Sequence, residues 1–211
     1  MRRLGCELMP RLRAVVVIAF VAGAVAGQAC ADEVRAKSRL MVGFYAGSLA
    51  HQAFINIVLL APQQTRLEPN YLAALNLTYI AYEFRNLPLA LEIDGTIAAR
   101  FGQDHEWDFA ILPMLRWKAF PWNRFLYTNF RLGLLGISYA TGISPWEKQN
   151  SGNGRGSRLL GFMVPEITFS SGPDSMGEAF LRVHHRSGGW GTFNGAWGGS
   201  NYVSVGYRGR W

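Results

Sequence analysis

"PLALEIDGTIAARF", residues 88–101, is the stretch whose reading decides the fold. Its odd positions are Leu89, Leu91, Ile93, Gly95, Ile97, Ala99 and Phe101. Its even positions include Glu92, Asp94, Thr96 and Arg100. One face is apolar throughout and the other carries three charges. Alternate side chains of a β-strand point to opposite faces, so a period of two over fourteen residues predicts one long strand. In a soluble sheet the apolar face is the core. In a membrane barrel it faces lipid, and the polar face lines the interior.

The same period recurs along the chain. It predicts strands near 39–48, 70–85, 88–101, 105–117, 123–140, 158–170, 178–187 and 200–211. Eight is an even number, as an up-and-down barrel requires. Several strands reach 12 residues or more, longer than the five or six of an average strand and enough to span a bilayer at a tilt. Trp107, Trp117, Trp122, Phe125, Tyr139 and Trp211 stand near the strand ends, where aromatic girdles meet the membrane interfaces. Trp211 ends the alternating segment "YVSVGYRGRW", and a terminal aromatic on the last strand resembles the sorting signature of outer-membrane barrels. Connectors at 86–87, 118–122 and 171–177 are short. Those at 49–69, 141–157 and 188–199 are long, and 102–104 is the exception on that side. "HQAFINIVLL", 51–60, breaks the pattern and reads either as a strand extension or as a short helix. The expected fold is thus an all-β, eight-stranded antiparallel transmembrane barrel of the bacterial outer membrane. A soluble β-sandwich or calycin-like barrel is the alternative.

Residues 1–31 read as an export signal. Arg2, Arg3, Arg11 and Arg13 precede the apolar run Ala14–Gly27, and "QACA" ends in small residues at Ala29 and Ala31. The barrel domain is then 32–211. Both cysteines, Cys6 and Cys30, fall in the signal, so that domain is free of disulfides. It holds 17 basic and 13 acidic residues, a net charge of +4, with no Lys/Arg block. Nucleic acid is excluded as a partner on that ground. No spacing suggests a cofactor, and His51 and His105 lie too far from the other histidines in sequence to suggest a metal site. Glu92, Asp94, Arg100, Arg131 and Arg182 read as an interior charge network, because eight strands leave a packed lumen rather than a channel.

The chemistry-bearing stretch is "AFLRVHHRSGGWG", 179–191. Phe180, Arg182, His184 and Arg186 share one face; Leu181, Val183, His185 and Ser187 share the other. The apolar members assign the second face to the outer wall. His185 and Ser187, at i and i+2, therefore stand together outside, while His184 points into the lumen. A serine hydroxyl is a weak nucleophile until a base takes its proton, and histidine suits that task near neutral pH. A third group should hold the imidazole tautomer. Asn201 has the face parity of Val203, Val205 and Tyr207, the outward set of the last strand. The backbone amides of Gly188 and Gly189 are candidates for an oxyanion hole.

This segment resembles the outer-membrane lipid A 3-O-deacylases, the PagL-like acyloxyacyl hydrolases. The resemblance is strongest over Ala179–Trp211, and a subgroup with "RVHHRSG…GGSNY" is nearer to this chain than the founding deacylases are. It implies His185 as base, Ser187 as nucleophile, and lipid A or lipopolysaccharide in the outer leaflet as substrate, in an enzyme needing no cofactor. Two departures are plain. Asn201 stands where the family has a glutamate, and Gly188 where it has an asparagine; the loop is also about two residues longer. An asparagine can orient the imidazole but supplies no charge for an imidazolium. Two function classes therefore stand: an esterase acting on lipid A, and a non-catalytic outer-membrane barrel with a degenerate site.

Overall fold

In the computed structural model, which describes residues 38–60 and 62–211, each strand pairs with the next and the last returns to the first. The strands are β1 (Leu40–Ala50), β2 (Leu67–Glu83), β3 (Leu89–Phe101), β4 (Trp107–Trp117), β5 (Tyr127–Ala140), β6 (Leu159–Ser170), β7 (Gly177–Ser187) and β8 (Gly199–Arg210). All pairings are antiparallel, and β1–β8 closure leaves no free edge. A closed barrel satisfies every backbone donor and acceptor of its strands within itself, the condition for crossing hydrocarbon. The export signal proposed for residues 1–31 lies outside the described residues.

The alternation read from 88–101 is the alternation of the wall. Leu91, Ile93 and Ile97 face outward, while Glu92 and Asp94 are fully buried inside. β2 and β4 alternate in the same way over most of their length. Tyr71, Phe101, Trp107 and Tyr139 lie outside toward one end of the barrel. Tyr82, Trp117, Trp122, Phe125 and Trp211 lie outside toward the other. The wall is thus an apolar band between two aromatic belts, the surface of a barrel set in a bilayer.

The lumen is filled by paired charges. Toward the short-connector end, Arg131 donates to Glu92 (2.6 Å), Glu166 (2.6 Å) and Asp94 (3.0 Å). Arg182 bridges Glu166 and Asp94, and Arg116 grips Glu178 with both terminal nitrogens while its Nε reaches Glu92. Arg208 pairs with Glu178 and Glu166. Four arginines thus meet four carboxylates. A second cluster fills the long-loop end, where Arg100 donates to Asp108 (2.8 Å) and Glu147 (3.0 Å) and Arg186 to Glu147 (2.7 Å). Of the five interior charges expected from the sequence, four belong to the first cluster and Arg100 to the second.

Two connectors differ from the sequence expectation, and a third decides between two readings left open. β5 starts at Tyr127 rather than 123, because 120–126 folds into consecutive turns after Phe120-Pro121. Asn123 staples them by donating to Lys118 O and accepting from the Thr128 amide. Residues 141–158 contain a one-turn helix, α1 (Pro145–Gln149), capped by Ser144 Oγ on the Glu147 amide (3.1 Å). Of the two readings of residues 51–60, the short helix is the one observed, not the strand extension. Residues 51–66 form a π-helical turn at Asn56–Leu60 and a 3-10 turn at Pro62–Gln64, folded against the outer wall.

Removing one member of a buried charge network strands its partners in low dielectric, at about 3–5 kcal/mol. Arg131→Met is therefore expected to lower the urea midpoint of the refolded barrel sharply, whereas Val205→Ala on the lipid wall leaves it nearly unchanged. Heat-modifiable gel mobility reports the folded fraction. In cells the wild-type chain is expected in the outer-membrane fraction; recovery as a soluble protein would contradict the barrel.

Candidate active site on the outer wall

β7 presents Leu181, Val183, His185 and Ser187 outward, and the register sets their neighbours. His185 lies opposite Asn201 on β8 and Met163 on β6; Ser187 lies opposite Gly199 and Gly161. Side chains directly across an antiparallel pair are near enough to bond. His185 Nδ1 and Asn201 Oδ1 are 2.5 Å apart. The Asn201 amide nitrogen in turn donates to the backbone carbonyl of Gln52 at 2.9 Å. A carbonyl only accepts, so Oδ1 is the end left for the imidazole. That places the ring proton on Nδ1 and leaves Nε2 with a lone pair, an assignment made from the hydrogen-bond network.

Ser187 Oγ accepts from the Gly189 amide at 3.1 Å. Gly188 differs: its amide donates to Gly198 O at 2.9 Å and closes the base of the 188–198 loop. Of the two glycines, Gly189 is the one whose N–H lies at the serine oxygen. Gly189 also has φ of +58°, a conformation that favours glycine. A Cβ on Gly188 would come within 2.1 Å of Ala196 O, so this backbone has no room for the asparagine of the resembling family.

The loop is tied from the neighbouring connector. Ser151 Oγ accepts from the Trp197 and Gly198 amides, and Asn153 donates to Gly195 O. Its Phe193 ring reaches the outer wall beside the site, where a Cβ on Gly161 would come within 3.1 Å of the ring. From inside, Glu147 of α1 accepts from Arg186 on β7 and Ser200 on β8, the inward residues adjoining Ser187, His185 and Asn201 in sequence. His184 is part of this scaffold: its ring bonds Asp108 (3.0 Å) and the Tyr45 hydroxyl (2.8 Å) and packs on Phe162. The strand ends that carry the site are thus held by the lumen.

His185 points outward as read from the sequence, yet it is only 9% exposed. The cover comes from the first connector. Phe54 stacks on the His185 ring with centroids 4.3 Å apart and planes 25° apart. Ile57 and Val58 pack with Val183 and Val203 beside it. Deeper along the same wall, Val58, Leu67, Phe130, Ile167, Leu181 and Val203 line an apolar groove of about 460 Å³. Gln52, Phe54, Ser151 and Phe193 are site residues that sequence reasoning missed. Their only trace was the broken period at 51–60. Among the described residues no group of histidine, cysteine, aspartate and glutamate is arranged to hold a metal.

No family model matches the chain, and no curated protein matches it. Solved structures do. The crystal structure of the outer-membrane enzyme PagL aligns with TM-score 0.51 and 14% identity, covering 80% of this chain and 97% of that one. Neisserial surface protein A aligns with TM-score 0.44 and 11% identity over 82% of this chain and 98% of that one. The Yersinia pestis outer-membrane protein Ail gives 0.38 and 12% over 80% and 98%. The fold is that of the bacterial outer-membrane barrels, and the chain is an outer-membrane protein.

The crowding at Gly188 yields a matched pair of variants. Gly188→Ala is expected to destabilise the barrel by about 1–3 kcal/mol through overpacking against Ala196. Gly152→Ala, with open space around the new methyl, is expected to be neutral. Unfolding midpoints of the two in one detergent check this.

Proposed function

We propose that this protein is a serine esterase that removes an ester-linked acyl chain, the 3-O chain, from lipid A in the outer leaflet. The observation that carries the reading is the His185–Asn201 hydrogen bond on the outer wall, which leaves Nε2 as the basic nitrogen on the strand that also bears Ser187. The fold shared with the outer-membrane enzyme PagL and the His-x-Ser resemblance support it.

In the proposed reaction, Ser187 Oγ attacks the ester carbonyl while His185 Nε2 takes its proton. The C=O bond opens to an oxyanion, for which the Gly189 amide, already beside Ser187 Oγ, is the candidate backbone donor. The intermediate collapses, the C–O bond to the sugar breaks, and His185 returns the proton to the departing alkoxide. Water, deprotonated by His185, then attacks the acyl-serine; the acyl C–Oγ bond breaks, His185 returns the proton to Ser187 Oγ, and a fatty acid is released. The apolar groove below the site lies at the depth where an acyl chain runs. Asn201 holds the tautomer but adds no negative charge, so the imidazolium is less stabilised than beside a carboxylate.

That neutral residue is also what favours the rival reading, a non-catalytic barrel. Deacylation of lipid A by purified protein in detergent, followed by mass spectrometry, separates the two. Ser187→Ala and His185→Ala are expected to lose at least about three orders of magnitude, since nucleophile and base act as a unit. Asn201→Ala is expected to be intermediate, and Asn201→Glu to exceed wild type. Val205→Ala serves as the control; His184→Ala does not, because it strips Asp108 and Tyr45 of a buried partner. Equal product from wild type and Ser187→Ala, or none from wild type and Asn201→Glu, would establish the non-catalytic barrel.

A further inference from the structure

The first connector acts on His185 in two ways, directly and through Asn201. The Gln52 carbonyl takes the Asn201 amide N–H, and the Phe54 ring lies on the His185 ring. An asparagine is symmetric in shape but not in chemistry. With its amide unrestrained, Asn201 can turn either its oxygen or its nitrogen to the imidazole. Turning the nitrogen inward would make Nδ1 the acceptor and put the proton on Nε2, the nitrogen that the proposed reaction uses as its base. A glutamate has no such ambiguity, because both its oxygens accept. The Gln52 carbonyl removes the ambiguity here. Phe54 closes the outward face of the ring and limits its rotation about χ2.

The connector is itself held in place. Gln52 Nε2 donates to Gln64 O (2.8 Å), Gln52 Oε1 accepts from the Arg66 amide (2.8 Å), and the His51 amide donates to Arg66 O (3.0 Å). Ile57 is buried against Ala50 and Val183. Leu59 and Leu60 are 69% and 68% exposed. The segment is thus tied to the start of β2 by hydrogen bonds and to the outer wall by packing.

We propose that Gln52, through its backbone carbonyl, and Phe54 are positioning residues for His185, selecting the Nδ1–H tautomer that a neutral Asn201 alone would not enforce. The proposal rests on the esterase reading for its catalytic consequence. Its structural content stands apart from that reading.

Two measurements on the full-length protein in detergent test it. The first is ¹⁵N NMR of imidazole-labelled protein, with His185 assigned by the signals missing in His185→Gln. The wild type should show His185 as a single Nδ1–H tautomer, and Phe54→Ala a mixture of tautomers. The second is steady-state deacylation of lipid A. Phe54→Ala should lower kcat by roughly 10- to 100-fold with KM within about threefold, as expected when a base is misoriented rather than substrate binding lost. Phe54→Tyr, which keeps the stacked ring, should restore both readouts. If Phe54→Ala fails to show heat-modifiable folding, Phe54→Leu, which keeps the apolar volume without the planar stack, takes its place with the same expectation. An Nε2–H tautomer in the wild type overturns the proposal, and so does an unshifted tautomer with unchanged kcat in the Phe54 variants. If the wild type yields no product the esterase reading falls, and the NMR result alone then decides the positioning role.

Discussion

An eight-stranded barrel has a lumen too narrow for a water-filled channel and too long to leave empty, so side chains must fill it. Its strands alternate, and an outer face committed to lipid leaves the inner face as the place for polar groups. Here those groups are charges, and charges removed from water persist only when paired. The four arginines and four carboxylates at the short-connector end answer that constraint by sharing partners: Glu166 serves Arg131, Arg182 and Arg208, and Arg131 serves three carboxylates. Such sharing ties β3, β4, β5, β6, β7 and β8 together across the lumen. The registry of the wall is thereby specified from inside.

The second cluster turns the same physics to a local end. Glu147 reaches the lumen because Ser144 caps a one-turn helix that dips inward, and it gathers Arg100, Arg186 and Ser200. Arg186 and Ser200 are the sequence neighbours of Ser187 and Asn201. Their side chains point in while the site residues point out. Fixing the inner set fixes the backbone that carries the outer set, which is how a rigid scaffold holds a site on strands rather than on loops.

The outer set needs a different device. A histidine facing hydrocarbon is costly unless its polar atoms are satisfied. The 51–66 connector meets that cost by laying a carbonyl on Asn201 and a ring on His185. The same segment turns Ile55, Leu59 and Leu60 outward, while its polar residues His51, Gln63, Gln64 and Arg66 are exposed at its two ends. The departure from a carboxylate at position 201 and the presence of this cover thus belong together physically: a neutral partner needs its orientation supplied from elsewhere.

The sequence by itself determined the strands, their facing, and that His185 and Asn201 both point outward, because a period of two ties each side chain's direction to its parity; their pairing came from the register of β7 on β8. It also determined that Glu92, Asp94, Arg100, Arg131 and Arg182 go inside, since a charge on an otherwise apolar-faced strand has only the lumen. Which charge meets which was beyond it: Arg182 and Asp94 are 88 residues apart in the chain and meet only through closure. The tertiary structure alone decided that Gly188 spends its amide on Gly198 while Gly189 offers its own to Ser187, for that depends on the path of an irregular loop. It alone decided the fate of 51–66. That segment has no period of its own, and its conformation comes from the wall against which its apolar side chains pack.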